Sequence, residues 1–386
     1  MCRRVRVSPI FDWVIVGAGF TGATLAERIA RGRNERVLII DRRPHLGGNS
    51  HDALNEAGIL VHSYGPHIFH TNSNAVWRYL QTFGAWRSYS HRVLAMIDGV
   101  AAPLPFNLNS IEKLFPRARA DRYIGKLQTR FTPGARVPVL KLMKEDDSDL
   151  QTLGRFVYEK VFRHYTLKQW GLLPEELSPS VTARVPILVD RDDRYFQDIH
   201  QGIPAEGYTA LFERMLDHPN ICVMLSTDYS SICGRFENAR IIYCGEIDAY
   251  FDYRFGALPY RSLRLSFETV DLEYQQPVAT VNYPNTESFT RITEMKHLTG
   301  QTHPRTTLVT EYPTAHVPGE NEPFYPVPRD ETRALYNQYN TLARTDDRVI
   351  FCGRLGDYRY YNMDQAVGAA LTLFEKKIGR TDFRNR

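Results

Sequence analysis

Cysteine is scarce, with five thiols in 386 residues at Cys2, Cys222, Cys233, Cys244 and Cys352. Their number is odd, their spacing irregular, and no Cys-x-x-Cys pair occurs. That excludes a disulfide scaffold and a zinc-ribbon framework, and reads as reduced, buried thiols of a cytoplasmic protein. Charge of one sign is equally short: Lys+Arg 48 against Asp+Glu 44 leaves a net +4. A chain built around a nucleic-acid backbone needs a more concentrated basic face, so no nucleic-acid partner is expected. No run approaches the roughly 18 to 20 apolar residues that span a bilayer, so no membrane span is expected. The basic opening Met1-Cys-Arg-Arg-Val-Arg mimics the head of a signal peptide. The apolar segment after it carries Asp12 and runs into a glycine-rich loop, which favours a soluble first strand. Internal repeats and low-complexity tracts are absent too.

What is there is globular. Hydrophobic residues at 43% and charged residues at 24% exclude disorder. The length exceeds one ordinary core and asks for two or three domains. The clearest segment is the opening one. Trp13-Val-Ile-Val16 suits a buried parallel strand, Gly17-Ala-Gly19-Phe-Thr21-Gly22 follows at once, and Ala23 to Ala30 has Leu25, Ala26 and Ile29 at helical spacing. Gly32 is expected to end that helix. Val37-Leu-Ile-Ile40 then forms a second buried strand closed by Asp41. In a strand-turn-helix-strand setting these glycines have distinct physical roles. Gly17 permits the tight turn, Gly19 lets amides approach a pyrophosphate, and Gly22 allows close helix packing. The helix N-terminus attracts phosphate charge and Asp41 can accept from a ribose. Seven residues on, the pair Gly47-Gly48 lets the chain pass a bulky group, which suits a retained FAD better than an exchanging NAD. A surface turn is the bland alternative.

Farther along the pattern changes. Asp149 or Ser148 can cap a helix whose Leu150, Leu153, Val157 and Val161 share a face, and prolines at 133, 138, 174, 179 and 186 divide a mostly helical region. Arg261-Ser-Leu-Arg-Leu-Ser-Phe-Glu and Thr307-Leu-Val-Thr-Glu-Tyr alternate like antiparallel strands with one wet face. Val349-Ile-Phe-Cys352 reads as a buried strand, and Val367, Leu371, Phe374 and Ile378 as the inner face of a terminal helix. The expected fold is α/β: a Rossmann-like FAD-binding domain with a helical insertion and an antiparallel β-sheet domain. The first takes residues 1–88, 205–255 and 330–386. The helical part takes 105–204, and the sheet takes 89–104 and 256–329.

Several clusters carry chemistry. Gly65-Pro-His67-Ile68-Phe-His70 puts two histidines three apart. Metal ligation lacks further ligands, so no metal is expected, while structural packing and contact with a cofactor ring both remain open. Tyr165-Thr166-Leu-Lys-Gln-Trp170-Gly171 surrounds polar tips with flat faces. It suits either core packing or a nucleobase platform on which Thr and Lys tips reach polar atoms. Arg184, Arg291 and Arg354 are candidates for a phosphate clamp, provided they converge on one cleft. Tyr358 to Gln365 precedes the terminal helix, whose N-terminus would face an anionic reduced flavin; a plain cap by Asn362 or Asp364 fits equally well.

With these motifs in view, the chain resembles the UDP-galactopyranose mutase family of prokaryotic type. The resemblance rests on Val16-Gly-Ala-Gly-Phe-Thr-Gly, Leu46-Gly-Gly-Asn49, Tyr64-Gly-Pro-His-Ile-Phe-His-Thr, Tyr165-Thr-Leu-Lys-Gln-Trp-Gly, Asp192-Asp-Arg-Tyr-Phe, Tyr253-Arg-Phe-Gly, Thr290-Arg-Ile-Thr-Glu and Gly353-Arg-Leu-Gly-Asp-Tyr-Arg-Tyr-Tyr-Asn-Met-Asp. It covers nearly the whole chain and is weakest from about 115 to 150. It implies an FAD enzyme, active when reduced, that interconverts UDP-galactopyranose and UDP-galactofuranose with flavin N5 as nucleophile on the anomeric carbon and no net redox change.

The resemblance also carries residue roles. Arg184, on a mobile loop, and Arg291 would hold the diphosphate and serve catalysis. Tyr165, Thr166 and Trp170, with Val161 and Phe162 a turn earlier, fall on the uridine stretch, and His91, Tyr195, Asn282, Glu311, Tyr325 and Tyr360 on further substrate contacts. Gly17, Gly19, Thr21, Gly22, Asp41, Arg42, Asn49, His67, Ile68 and Arg354 fall on FAD contacts, and Tyr361, Asn362, Met363, Asp364 and Gln365 on the isoalloxazine. A reductant such as NAD(P)H or a reductase, and a homodimer, are implied as partners. Three positions depart from the pattern: His91 where some members have Asn, Asn362 where some have Asp, and Val161 where some have an aromatic residue. The competing readings are a flavin oxidoreductase of the amine-oxidase-like class, which needs no diphosphate clamp, and an inactive nucleotide-sugar-binding flavoprotein.

Overall fold

The computed structural model describes residues 11–177, 186–236, 238–327 and 329–379. Its first layer is a parallel five-stranded sheet in the order β12-β2-β1-β13-β19. Here β1 is Trp13–Val16, β2 Val37–Ile40, β12 Ile221–Met224, β13 Arg240–Tyr243 and β19 Val349–Phe351. Every residue of β2 is buried, as expected for a strand covered on both faces. Helix α1 (Phe20–Arg33) crosses from β1 to β2. It sits against the turn with no spare room: a Cβ on Gly22 would lie 1.9 Å from the Gly17 carbonyl oxygen. The helix runs past Gly32 and ends where Asn34 enters the left-handed region at φ 53. Gly32 instead makes room inside the helix, since a Cβ there would stand 2.7 Å from the Phe374 ring.

The second layer is a seven-stranded sheet in the order β18-β14-β17-β16-β15-β7-β8. Its strands are β7 (Val93–Ile97), β8 (Val100–Leu104), β14 (Tyr260–Val270), β15 (Thr280–Asn282), β16 (Arg291–Glu294), β17 (Thr306–Ala315) and β18 (Tyr325–Pro326). β7 and β8 are joined by Asp98-Gly99, both at positive φ (48 and 82), as a tight two-residue hairpin requires. β14 and β17 pair antiparallel from Arg261 opposite Ala315 to Val270 opposite Thr306. In the middle of the sheet, register sets Asn282 opposite Arg291 and Arg291 opposite Glu311.

A helical layer packs over the β7–β8 end. Helix α2 (Arg117–Arg130), helix α3 (Ser148–Val157), a π turn (Tyr158–Arg163) and helix α4 (His164–Trp170) surround a core that includes Leu127, Leu150, Leu153, Val157, Val161 and Phe162. The cap of α3 is Asp147, whose carboxylate accepts from the Asp149 and Leu150 amides, one or two residues ahead of the expected caps. The pair β9 (Arg136–Pro138) and β10 (Pro186–Leu188) closes this layer antiparallel. Between the layers lie the three-stranded sheet of β5 (Phe69–Thr71), β11 (His200–Pro204) and β6 (Trp86–Ser88), and the pair β3 (Asp52–Leu54) and β4 (Leu60–His62). Helix α5 (Tyr208–Leu216) and helix α6 (Met363–Leu373) pack on α1, which ties the late chain to its start. The thiols are not all buried as expected: Cys352 is, but Cys222, on the edge strand β12, and Cys233 are exposed.

Two glycines test this packing in opposite directions. Gly22→Ala is expected to lower the unfolding free energy by about 3 kcal/mol or prevent folding, because the methyl meets backbone. Gly125→Ala, in the open interior of α2 with nothing within 4 Å, is expected to raise it by about 0.5–1 kcal/mol. Urea unfolding of both variants checks the signs; equal effects would refute the contact at Gly22.

Candidate functional site

At the carboxyl ends of β1, β2 and β13 the chain surrounds an open cleft. Gly17 makes the turn at φ +109, and its N–H donates to the Ile40 carbonyl at 2.7 Å. Asp41 is buried and pinned: Ala18 N–H donates to one carboxylate oxygen at 2.8 Å and Arg43 N–H to the other at 2.9 Å. Each oxygen keeps a lone pair for a ligand. The Ala23 amide is bonded back to Gly19 at 2.9 Å, while the amides ahead of it stand at the unsatisfied helix end. A Cβ on Gly19 would meet only Gly47 O and Gly48 Cα, both at 3.8 Å, so the cradle is open to a close-lying group. An amide-lined helix start, an acceptor at the second strand and an open glycine floor fit a dinucleotide.

The same cleft is walled by Thr21, Gly22, Arg42, Asn49, His67, Arg354, Asn362 and Met363. Four of the residues expected at the cofactor lie off that wall. Ile68 packs into the hydrophobic cores. Tyr361 donates its hydroxyl to Asp357 at 3.0 Å. Asp364 accepts from Thr71 Oγ1 at 3.0 Å, and Gln365 Oε1 accepts from the Asn362 amide at 2.9 Å, a capping contact. The two motif histidines diverge as well. His67 faces the cleft with Nδ1 on the Gly65 carbonyl at 2.8 Å, whereas His70 pairs with Asp198 at 3.0 Å and stacks on Phe196. Among the described residues no group of three His, Cys, Asp or Glu could hold a metal.

Sequence reading missed part of the wall. Arg43, Glu246 and Glu322 line the cleft too, and Glu322 joins Arg42 (2.8 Å) and Arg43 (2.6 Å) across the chain. Burial pushes the Glu322 carboxyl up, but the two guanidiniums outweigh it and hold it below its ordinary range. The segment Tyr243-Cys244-Gly245 lines the cleft just past β13. Its signal, a short apolar run closed by glycine, was present at Ile241-Ile-Tyr-Cys-Gly.

A second group of candidates meets this wall. Glu311 is fully buried and accepts from Arg291 Nε at 2.6 Å, and its other oxygen has no hydrogen-bond partner, like Asn282 Oδ1 in the same row. Burial opposes the Arg291 charge, yet Glu311 drives its pKa well above the ordinary value, so it stays cationic. The Tyr165 and Tyr325 hydroxyls are pushed up by burial against the pull of Arg291, and stay neutral. Trp170, Tyr325 and Tyr360 form a cluster with centroids 5.2–6.2 Å apart. Arg354 joins the two groups, because it lines the cleft while its guanidinium lies 5.7 Å from the Tyr325 ring and 5.8 Å from that of Tyr360.

Other expected substrate residues are placed less directly. His91 is buried, with Nδ1 on Tyr89 Oη at 3.2 Å and its ring 5.7 Å from that of Tyr195. Thr166 is buried on α4, while Val161 and Phe162 belong to the helical core. Lys168 does not offer its tip to a ligand: Nζ is held by the carbonyls of Tyr283, Glu287 and Phe289. Arg184 lies outside the described residues, so of the three candidate arginines the structure brings Arg291 and Arg354 together.

Comparison with known proteins adds to this geometry. A family model described as UDP-galactopyranose mutase matches residues 160–360, and one described as NAD(P)-binding Rossmann-like domain matches 15–83. A probable UDP-galactopyranose mutase of Klebsiella pneumoniae is 36% identical over 362 residues, covering 93% of this chain and 92% of that protein. A dTDP-fucopyranose mutase of Escherichia coli is 34% identical over 372 residues, covering 93% and 96%. The crystal structure of a reduced UDP-galactopyranose mutase superposes with a TM-score of 0.73 at 16% identity, covering 96% of this chain and 94% of that one. At that identity the superposition speaks for the fold.

Burial lowers the pKa of His62 to about 4 and those of His67 and His91 to about 3. In the unfolded chain all three titrate near 6.5, so below that pH the unfolded state binds more protons and the fold loses stability. Between pH 6.5 and 5 each should cost about 1.5 kcal/mol. Urea unfolding at the two pH values checks this; an unchanged free energy would contradict the neutral, buried state of these rings.

Proposed function

The chain belongs to the UDP-galactopyranose mutase family, and on that basis we propose that it is an FAD enzyme interconverting UDP-galactopyranose and UDP-galactofuranose. The observation that carries the reading is the junction at Arg354, where the dinucleotide cleft meets the wall of Arg291, Tyr325 and Tyr360. A cofactor in the cleft and a nucleotide sugar against the wall would share a boundary, as a reaction between them needs.

The chain's own residues divide the work. The open amides of α1 and the lone pairs of Asp41 take the adenosine diphosphate half of FAD, with His67, Asn362 and Met363 along its ring half. Arg291 spends Nε on Glu311 and keeps Nη1 and Nη2, a fork-shaped donor, for phosphate oxygens. Neutral Tyr165 and Tyr325 add hydroxyl donors, and Trp170 offers a flat face to the uracil. The chemistry that FAD supplies here, once reduced by NAD(P)H or a reductase, is a nucleophile at N5 for the anomeric carbon, with UDP as leaving group and no net redox change. Arg291 and Arg354 offset the charge that gathers on the departing diphosphate.

A second substrate has a specific observation in its favour. The dTDP-fucopyranose mutase relative is nearly as similar as the UDP-galactopyranose one, 34% against 36%. A thymidine diphosphate 6-deoxyhexose is therefore the competing substrate.

Chromatography of products after incubating the dithionite-reduced, FAD-loaded protein with both nucleotide sugars separates these readings. Conversion of UDP-galactofuranose to UDP-galactopyranose, and near inertness of the oxidised protein, are expected. Conversion of the thymidine sugar alone would reassign the substrate, and no turnover of either would favour a binding protein. Steady oxygen uptake with an amine would favour an oxidase. Arg291→Ala is expected to lower turnover about a hundredfold or more while FAD stays bound; near-normal turnover would remove Arg291 from the site.

A further inference from the structure

We propose that His62 and Tyr208 are positioning residues that lock His67 as its Nδ1–H tautomer, leaving Nε2 as a bare acceptor for the ligand in the cleft. His67 lies in the loop between β4 and β5, after Gly65 at φ +85. Its amide N–H donates to His62 Nδ1 at 3.0 Å, and its carbonyl accepts from the Tyr208 hydroxyl at 3.2 Å. Both partners are fully buried. The two peptide planes flanking one cleft residue are thus each held by a buried side chain, a level of constraint unusual for a loop.

The anchors are themselves anchored. His62 is the register partner of Asp52 across β3 and β4. The Asp52 carboxylate caps α5 by accepting from the amides of Tyr208 at 2.6 Å and Thr209 at 2.8 Å. One strand pair therefore fixes both sides of the clamp. His62 serves this at a cost: its Nδ1 must be the acceptor, so Nε2 carries the hydrogen, and Nε2 is buried without a partner. An aliphatic side chain would pack there without that defect but could not hold the His67 amide.

The ring of His67 then has one hydrogen-bonding choice. A carbonyl can only accept, so the 2.8 Å contact with Gly65 O requires a hydrogen on Nδ1. Burial lowers the pKa of both imidazoles, to about 3 for His67 and 4 for His62, and Arg354 and Arg291 disfavour a second proton on His67. The nitrogen left for the cleft is Nε2, and it recognises a donor. His67 therefore reads an N–H or O–H on the bound group, not a carbonyl.

Two-bond proton–nitrogen spectra of the ring-15N-histidine-labelled, FAD-loaded enzyme test the tautomer, with His67 assigned by the signal missing in His67→Asn. The wild type is expected to show Nδ1 protonated and Nε2 bare; the reverse pattern would overturn the proposal. His62→Leu and Tyr208→Phe should populate the Nε2–H form and raise the Kd for FAD about tenfold or more, whereas His62→Asn, whose Oδ1 replaces the Nδ1 acceptor, should stay within about threefold. Equal loss in the Leu and Asn variants would also overturn it, because packing alone would then explain both. If His62→Leu does not fold, the wild-type spectrum and Tyr208→Phe still decide. Only the affinity arm rests on the FAD reading; the spectrum stands without it, so the two fail separately.

Discussion

The pair of Glu311 and Arg291 is the constraint on which the site depends. A carboxylate with no exposed surface is tolerated only beside a matching charge, since either ion alone in such a place would cost several kcal/mol. Register supplies the match, because β16 and β17 set the two residues directly opposite each other. The geometry of that pair also decides what is left over. One nitrogen of the guanidinium is consumed, its two outer nitrogens are left over, and the second Glu311 oxygen is buried without a partner. Stability and recognition are thus served by the same contact.

Around that pair the two large sheets take separate tasks and meet at a narrow seam. The parallel sheet delivers a helix start, the Asp41 acceptor after β2 and a glycine floor, which together suit a dinucleotide at close range. The seven-stranded sheet, antiparallel except where β15 pairs with β7, delivers a row of polar side chains across adjacent strands, which parallel strands buried on both faces could not present. Arg354 belongs to the first by sequence and reaches the second by its side chain. His67 senses both arginines, since Arg354 and Arg291 each depress its basicity. A seam of this kind suits a reaction in which the cofactor and a nucleotide sugar must touch.

How much was legible in sequence follows the range of each signal. β1, α1 and β2 were readable because their instructions are local: two apolar runs, three spaced glycines and an acid. The alternation of β14 and β17 was readable for the same reason. Errors of a residue or two arose where neighbours compete, as when Asp147 caps α3 in place of Ser148 or Asp149, or when Asn34 and not Gly32 stops α1. The cleft residues that escaped notice depend on distant partners; Glu322 reaches Arg42 and Arg43 from the other end of the chain. Lys168 lay within a recognisable motif, yet three loop carbonyls claim its ammonium, and no spacing rule foretells them. Gln365 and Tyr361, close to the cleft in sequence, are turned to helix capping and to Asp357 by similarly local hydrogen bonds. The family resemblance implies which remote polar residues belong together, a grouping that no local spacing carries.

The most direct measurement is a crystal structure of the reduced protein with FAD and UDP bound together. The diphosphate should lie about 3 Å from the outer nitrogens of Arg291, with its sugar-bearing end directed at the flavin in the β1–α1 cleft. A nucleotide seated elsewhere, with Arg291 paired to Glu311 but touching no phosphate, would contradict the account.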